Sequence, residues 1–157
     1  MLKPQVVISA CLLGEYCRYD GQIKEFFGLR EAFSAYEIIP FCPEAPLFST
    51  PRQRISVVLV EGKHRIITDE TKEDVTQKLE DAVHLFAKKY VHATTFVLKS
   101  KSPSCGLATT PILNEKNETV CLGDGLAAKI FKTKFMHAKI YDEHSIGRKL
   151  RNELEPL

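Results

Sequence analysis

Short apolar runs along the chain alternate with longer segments of helical periodicity. Three runs predict buried strands: residues 5–9, 37–41 and 94–98. In residues 71–90 the apolar positions recur at spacings of three and four, which predicts a long helix. At its start, Thr71 and Asp74 match a capping box.

The remaining segments of the pattern predict shorter elements. Residues 55–60 and 64–68 flank a Gly-containing turn and predict a β-hairpin. Five further elements are expected: a helix at 23–35, a strand at 119–122, a helix at 126–132 capped by Asp124, a weak strand at 136–141 and a terminal helix at 145–154. This alternation predicts an α/β fold with an open, mostly parallel sheet flanked by helices and a β-hairpin insertion. We expect one domain over residues 1–157.

Composition narrows the function classes. The 157 residues are 44% apolar and carry a net charge of only +2, which gives no electrostatic case for a nucleic-acid or membrane partner. No apolar run approaches the roughly 20 residues that span a bilayer, and the N-terminus lacks signal-peptide order. We therefore predict a cytoplasmic protein whose five cysteines are reduced thiols.

Three cysteines lie in the loops that follow predicted strands. Cys11, Cys42 and Cys105 come after the strands at 5–9, 37–41 and 94–98. In a parallel sheet those loops emerge at one edge, where ligands bind, so the three thiols are predicted to form one metal site. Packing in the core is the alternative, since free cysteine is among the most buried residue types. Cys121 follows an apolar residue and is predicted to be such a packed thiol.

Three thiolates suit an iron–sulfur cluster better than a structural zinc ion. Structural zinc sites have four ligands and often close C-x-x-C pairs, which this chain lacks. Clusters are commonly held by four thiolates, and one held by three keeps an iron open to substrate. Cys17 is a possible fourth ligand, so spacing alone leaves both metals open.

Polar residues surround the three cysteines in sequence. Glu44 lies two residues after Cys42 and is a candidate general acid or base, or else a solvated loop residue. The loop 102–106 combines hydroxyls, a proline and a glycine, as anion-binding loops do, although ordinary turns share this composition. Three charged residues are candidates to orient a polar substrate, or alternatively to link loops by salt bridges: Arg18, Asp20 and Arg52.

Six motifs in order resemble those of the thiouracil desulfidase family. They occupy residues 8–14 (ISACLLG), 17–21 (CRYDG), 41–44 (FCPE), 51–52 (PR), 101–106 (KSPSCG) and 123–125 (GDG). The resemblance runs from about residue 6 to residue 131. The ordered set is specific, although no single motif is.

The resemblance implies a compact α/β domain with a 4Fe–4S cluster on Cys11, Cys42 and Cys105. It implies that an open iron takes the sulfur of a thiocarbonyl substrate, which water replaces without net redox change. Glu44 would be the catalytic acid or base, assisted by a serine, with Ser102 preferred over Ser104. Ser104 would then be a substrate-binding residue, and Cys17 is left out of the ligand set.

Two segments depart from the family pattern. Residues 45–49 read APLFS where the family usually has a Gly-rich stretch, and residues 107–118 also differ. The sequence therefore predicts an iron–sulfur desulfidase that hydrolyses a C–S bond of a small thiolated heterocycle such as a thiopyrimidine. The alternatives are an iron–sulfur or sulfur carrier or redox sensor without hydrolytic activity, and a zinc-stabilised binding module. The sequence leaves the oligomeric state undetermined.

Overall fold

The computed structural model describes residues 2–14, 26, 28–48 and 51–153, which form two four-stranded sheets packed with helices. The strands are β1 (Gln5–Ser9), β2 (Glu37–Phe41), β3 (Ile55–Val60), β4 (Lys63–Thr68), β5 (Ala93–Leu98), β6 (Thr110–Leu113), β7 (Thr119–Gly123) and β8 (Lys139–Asp142). The helices are α1 (Leu29–Ala32), α2 (Thr76–Lys89), α3 (Leu126–Lys134) and α4 (Glu143–Glu153), with a 3₁₀ turn at Ala10–Leu13. None of the helices described is long and apolar enough to cross a membrane.

The first sheet, sheet A, is wholly parallel in the order β2-β1-β5-β8. Its register places Ser9 opposite Phe41, and Leu98 opposite Asp142, so the four strands end at one edge. Buried residues cover both faces of β1, which explains its uninterrupted apolar run. Pro40 fits within β2 because β2 is an edge strand.

The second sheet, sheet B, is mixed, in the order β4-β3-β6-β7. The β3–β4 and β6–β7 pairs are antiparallel hairpins, and β3 pairs with β6 in parallel. The predicted β3–β4 hairpin is confirmed, but it forms half of a sheet and not a separate insertion. Strand β6 was not expected, because Pro111 interrupts its short apolar run.

Three layers of apolar side chains hold these elements together. One face of sheet A packs on α2 and α3 through the buried residues Val7, Phe41, Val83, Phe96 and Phe131. The opposite face packs on the 3₁₀ turn, α1 and α4. Leu79 of helix α2 and Val75, the residue before it, also pack in the core under sheet B, so the helix joins the two sheets. The predicted α/β class, with a mostly parallel sheet flanked by helices, is confirmed.

The predicted start of the long helix at Thr71 is wrong. Helix α2 begins at Thr76, five residues after Thr71, because Lys72 has a left-handed backbone (φ 58°) and Thr71 instead bonds the Thr68 hydroxyl. Asp74 accepts the Thr76 N–H and so starts the helix without a capping box. Within the described residues of the predicted helix 23–35, only Leu29–Ala32 is helical.

The predicted burial of Cys121 is also wrong. Cys121 lies on β7, an edge strand of sheet B, and is exposed together with its neighbours Val120 and Leu122. Apolar neighbours in the sequence do not make a strand buried when no helix or second sheet packs over it.

Candidate active site

The three predicted cysteines follow three adjacent strands of sheet A. Cys11 lies in the 3₁₀ turn after β1, Cys42 directly follows β2, and Cys105 lies in the loop after β5. Because the strand order is β2-β1-β5, all three emerge at the same edge. Cys11 and Cys105 are buried, and Cys42 is half-buried.

The Cys105 loop is a turn organised by one serine. The Ser102 hydroxyl accepts hydrogen bonds from the backbone N–H groups of Ser104 (3.1 Å) and Cys105 (3.0 Å). The Ser102 carbonyl accepts the N–H of Gly106 at 2.8 Å and the Thr110 hydroxyl at 2.7 Å. Four bonds to one residue therefore fix the backbone on both sides of the Cys105 thiol.

The first turn of α3 holds the same loop. The N–H groups of Gly125, Leu126 and Ala127 donate to carbonyl groups of the loop at 2.7, 3.1 and 2.6 Å; the acceptors are Gly106, Pro103 and Ser104, respectively. A helix start leaves its first N–H groups without partners inside the helix. Here the cysteine loop supplies those partners, so the loop and α3 stabilise each other.

Gly125 permits this close approach. A Cβ atom at this position would lie 2.7 Å from the Gly106 nitrogen and 2.8 Å from the Cys105 nitrogen. Asp124 does not cap α3 as predicted. Its carboxylate instead accepts the Ala108 N–H (2.8 Å) and the Lys132 ammonium (2.9 Å), tying the end of the loop to the helix.

The Cys105 sulfur has a buried, polar environment. Burial raises the pKa of its thiol above the ordinary value, and the charges of Cys42 and Glu44 raise it further. Hydrogen bonds with the side chains of Ser9 and Ser102 act in the opposite direction. The thiol of the metal-free chain is therefore protonated at neutral pH, and a bound metal would displace the proton.

The turn after β2 carries Cys42 and Glu44. The backbone N–H of Ala45 donates to the Cys42 sulfur at 3.4 Å. The Glu44 carbonyl accepts the N–H groups of Leu47 (3.1 Å) and Phe48 (2.8 Å). These bonds make a tight turn in which a thiol and a carboxylate two residues apart both lie near the Cys105 loop.

The Glu44 carboxylate joins two other predicted site residues. Its Oε2 accepts the Ser104 hydroxyl at 2.6 Å, and its Oε1 accepts the Arg52 Nε at 3.4 Å. The side chains of Arg52 and Glu44 are only 6% and 13% exposed. Arg52, predicted to bind substrate, thus contacts the candidate acid or base directly.

The remaining predicted residues lie outside the part of the chain that the structure describes. These are Arg18 and Asp20, together with the possible fourth ligand Cys17. Their proposed contacts with substrate or metal stay predictions.

A buried polar network beside the cysteines was missed at the sequence level. The carboxylate of Glu143, which directly follows β8, accepts hydrogen bonds from the Lys99 ammonium at 2.8 Å and the backbone N–H of Ser100 at 2.7 Å. The Lys99 backbone N–H donates to the Ser9 hydroxyl at 2.9 Å. Their positions in the sequence could have identified them, because each of these residues lies at the end of a sheet A strand or shortly after it.

Within the described residues, no three histidine, cysteine or acidic side chains converge as the ligands of one metal ion do. A cluster places a different demand on its ligands, because each of its cysteines binds a different iron atom. The donor set fits a cluster in chemistry: three thiols, with the Ala45 N–H directed at the sulfur of Cys42.

Comparison with known proteins identifies the family. The family described as 2-thiouracil desulfurase matches residues 6–143, which is most of the chain and includes every described residue of the candidate site. The chain belongs to this family. The resemblance seen in the motifs is thus confirmed, as is the prediction of an enzyme.

Two relatives extend the comparison. The uncharacterised protein YbbK of Bacillus subtilis (strain 168) is 33% identical over 110 residues, which cover 64% of this chain and 72% of that protein. A solved structure of the 4Fe–4S-dependent thiouracil desulfidase TudS matches with a TM-score of 0.75 at 29% identity, covering 97% of this chain and 99% of that one. The fold therefore matches that enzyme along nearly the whole chain.

Proposed function

We propose that this protein is an iron–sulfur-dependent desulfidase that hydrolyses the C–S bond of a thiouracil or a related thiolated heterocycle. Family membership and the TudS match support desulfuration and a 4Fe–4S cofactor. The observation that carries the hydrolytic proposal is the ionisable Glu44 carboxylate, held by Ser104 and Arg52 beside the thiols of Cys42 and Cys105.

Cys11, Cys42 and Cys105 would hold the cluster, because they follow three adjacent strands that end at one edge of sheet A. The bound cluster would supply an open iron as a Lewis acid for the substrate sulfur. The protein would supply the rigid frame, since α3 fixes the Cys105 loop and the turn at Ala45 fixes Cys42.

Glu44 would act as the general base. In the overall reaction a thiocarbonyl and water give a carbonyl and hydrogen sulfide, with no net transfer of electrons. One water proton would pass to the Glu44 carboxylate as the water oxygen bonds to the substrate carbon. The same carboxyl would return this proton as the C–S bond breaks, so that sulfur leaves as hydrogen sulfide or its anion.

The contacts favour Ser104 as the hydroxyl partner of Glu44. Ser104 donates to the carboxylate at 2.6 Å, whereas Ser102 accepts two backbone N–H groups and contacts Cys105. The prediction from sequence preferred Ser102 as the assisting residue. We infer that Ser102 shapes the thiol loop, and that Ser104 and Arg52 orient the base.

Anaerobic purification with iron, sulfide and zinc analysis, followed by turnover of 2-thiouracil and 4-thiouracil, tests the proposal. We expect about four irons and four sulfides per chain and release of one hydrogen sulfide per uracil formed. Glu44→Gln should retain the cluster and lose turnover by about 10²-fold or more, because general-base catalysis contributes about 10²–10⁴-fold.

A matched variant separates the base from its surroundings. Glu37→Gln changes an exposed glutamate at the opposite end of β2 and should leave iron content and turnover unchanged. Full turnover in Glu44→Gln would exclude its role as base. A cluster without turnover of any thiolated base would favour the carrier or sensor, and zinc without sulfide would favour the binding module.

A further inference from the structure

The amino edge of sheet A, opposite the cysteines, carries the same turn twice. Residues 90–93 (YVHA) lead from α2 into β5, and residues 135–138 (FMHA) lead from α3 into β8. Each turn begins with an aromatic residue that packs against the core. The carbonyl of that residue accepts the N–H of the alanine three residues later, at 3.1 Å from Ala93 and 3.0 Å from Ala138. Between them, both turns present an exposed apolar residue followed by an exposed histidine.

Adjacent strands bring the two turns and the N-terminal residues together. Strands β1, β5 and β8 are neighbours in sheet A, with Gln5 paired to Ala93 and Thr95 paired to Lys139. Neighbouring strands lie about 4.8 Å apart, so the residues that precede these three strands share one small surface. We call it the amino-edge surface; it comprises residues 2–3, 88–92 and 134–139.

Three apolar side chains project from the amino-edge surface. They are Leu2, Val91 and Met136, which are 99%, 56% and 78% exposed. The aromatic residue and the alanine of each turn are held by the core and the strand, but the fold requires no apolar residue at the tip. Seven large apolar side chains are exposed in the part of the chain that the structure describes, and these three share one edge.

The apolar tips are surrounded by exposed lysines, which are Lys3, Lys88, Lys89, Lys134 and Lys139. With the described residues, none of these five lysines forms a salt bridge. Cations are favoured at helix C-termini, which accounts for the three lysines that end α2 and α3 but not for Lys3 and Lys139. Glu37, at the start of β2, is an acidic residue at the same edge. The net charge of +2 describes the whole chain and does not reveal this local concentration of positive charge.

We propose that the amino-edge surface docks on an anionic phospholipid bilayer. Leu2, Val91 and Met136 would enter the headgroup region while the lysines contact lipid phosphates. A single-stranded nucleic acid also offers phosphates, but it is bound through exposed aromatic side chains, and the aromatic residues of both turns pack against the core. Docking of this kind needs no membrane-spanning helix. The cysteines lie at the opposite edge of sheet A, so the docked protein would keep its candidate active site open to solvent.

Co-sedimentation of the purified full chain with lipid vesicles tests this docking. We expect binding to vesicles of equal parts phosphatidylcholine and phosphatidylglycerol at low salt, and much weaker binding to pure phosphatidylcholine. Binding should weaken as salt is added, because the lysines and lipid phosphates meet in water. No binding to the anionic vesicles at low salt would overturn the proposal.

A pair of serine substitutions tests the apolar tips without changing charge. Val91→Ser combined with Met136→Ser should weaken vesicle binding by about tenfold or more, because less apolar surface leaves water. Val120→Ser combined with Leu122→Ser is the matched control, since these side chains are 51% and 63% exposed on β7 of sheet B. It should leave vesicle binding unchanged. Equal binding by the two double variants would exclude insertion of the tips.

A second pair of variants tests the position of the positive charge. Lys88→Gln combined with Lys134→Gln should weaken binding by about fivefold per lysine. Lys63→Gln combined with Lys116→Gln removes the same charge from exposed positions at the two hairpins of sheet B and should have little effect. Equal losses in both pairs would mean that attraction to the vesicles is not specific to this surface, and would reject it as the docking site.

Fluorescence anisotropy with a single-stranded oligouridylate separates a bilayer from a nucleic acid. Tighter binding to the oligonucleotide than to vesicles, lost in the Lys88 and Lys134 variant but kept in the Val91 and Met136 variant, would replace the bilayer by a nucleic acid. Neither the cluster nor its chemistry takes part in this docking. Turnover of a thiolated base should therefore be the same in all four double variants, and vesicle binding stands or falls separately from the desulfidase proposal.

Discussion

Thiols and ion pairs occur near both sheets, but their solvent exposure differs. At the strand ends of sheet A, Cys105 and Glu143 are buried and bonded to neighbouring loops. In sheet B, Cys121 is exposed on β7, and the acidic partner of the ion pair between Arg65 and Asp74 is 39% exposed. Of these described groups, the thiol and the carboxylate at the edge of sheet A are enclosed by neighbouring strands and helices, and those of sheet B are not.

The two ion pairs make this contrast measurable. The Lys99–Glu143 pair is 2.8 Å long with side chains 18% and 10% exposed, and the Arg65–Asp74 pair is 2.7 Å long with side chains 38% and 39% exposed. Ion pairs of nearly equal N–O distance would have equal interaction energies only if solvent had no effect. Solvent screens the exposed pair, whereas removing one partner of an enclosed pair leaves a charge without compensation.

Gly125→Ala should have the largest effect on the sheet A site. Its Cβ would lie within 2.8 Å of three backbone atoms of the Cys105 loop, which cannot swing away as a side chain can. Overpacking costs about 1–3 kcal/mol, and each weakened loop-to-α3 hydrogen bond adds about 1 kcal/mol. We expect a loss of at least about 3 kcal/mol in urea unfolding of the metal-free chain, with a lower iron content after reconstitution.

Gly123→Ala is the matched control in sheet B. There the Cβ would meet only the Ile112 side chain, at 3.3 Å, and a side chain can adjust. Its destabilisation should be at most about 1 kcal/mol. Equal losses in the two variants would contradict the view that the loop and α3 form one rigid unit.

Glu143→Ala should rank second. It leaves the Lys99 ammonium enclosed without its carboxylate and removes the acceptor of the Ser100 N–H. Breaking a buried pair in this way costs about 3–5 kcal/mol, and the partial exposure of Lys99 places the expected loss near about 3 kcal/mol. Denaturant unfolding measures it, and a loss below that of Asp74→Asn would contradict the comparison.

The same carboxylate should make stability depend on pH. Burial opposes ionisation of Glu143, but hydrogen bonds from Lys99 and Ser100 outweigh it and lower the pKa below the ordinary 4.5. A lowered pKa contributes stability above the unfolded value, and this stability is lost as pH falls through the folded value. The free energy of unfolding between pH 6 and 3 should fall less steeply in Glu143→Gln than in the wild type. Parallel curves would exclude Glu143 as a source of the acid sensitivity.

Much of this arrangement followed from the sequence, and the failures have physical causes. The position of Cys11, Cys42 and Cys105 after apolar runs was enough to predict one shared edge, because parallel strands end together. The local pattern of apolar residues was enough to predict the strands themselves. Roles that depend on contacts between distant segments, such as the hydrogen bond from Ser104 to Glu44, cannot be recognised from any local pattern.

The wrong predictions arose where tertiary contacts override local preference. Thr71 has the sequence signature of a helix start, yet the loop around Lys72 uses its hydroxyl and delays α2 to Thr76. The sequence predicted a helix start capped by Asp124, whereas the structure shows that the missing side chain of Gly125 makes room for the Cys105 loop. Which face of β7 is covered depends on the sheet order, so the exposure of Cys121 was not predictable from its neighbours.

Asp74→Asn should have a small effect. It removes the charge opposite Arg65 in the exposed pair but keeps a side-chain oxygen for the Thr76 N–H at the start of α2. The loss should be below about 1 kcal/mol and should shrink further at high salt, because solvent ions screen exposed charges. Urea unfolding at low and high salt measures both, and a salt-independent loss of several kcal/mol would show that the pair is not screened.

Cys121→Ser should have the smallest effect and sharpens the comparison furthest. Its thiol lies on the exposed edge strand, so the free energy of unfolding should change by less than about 0.5 kcal/mol, with iron content unchanged. Cys105→Ser, the same exchange in sheet A, should abolish the cluster.

In the native metal-free chain, iodoacetamide should label Cys121 before Cys105, because burial both shields the Cys105 thiol and raises its pKa. Peptide mass mapping at short reaction times gives the order of labelling. Faster labelling of Cys105 would mean that its loop opens readily, which would contradict the view that α3 holds the loop in place.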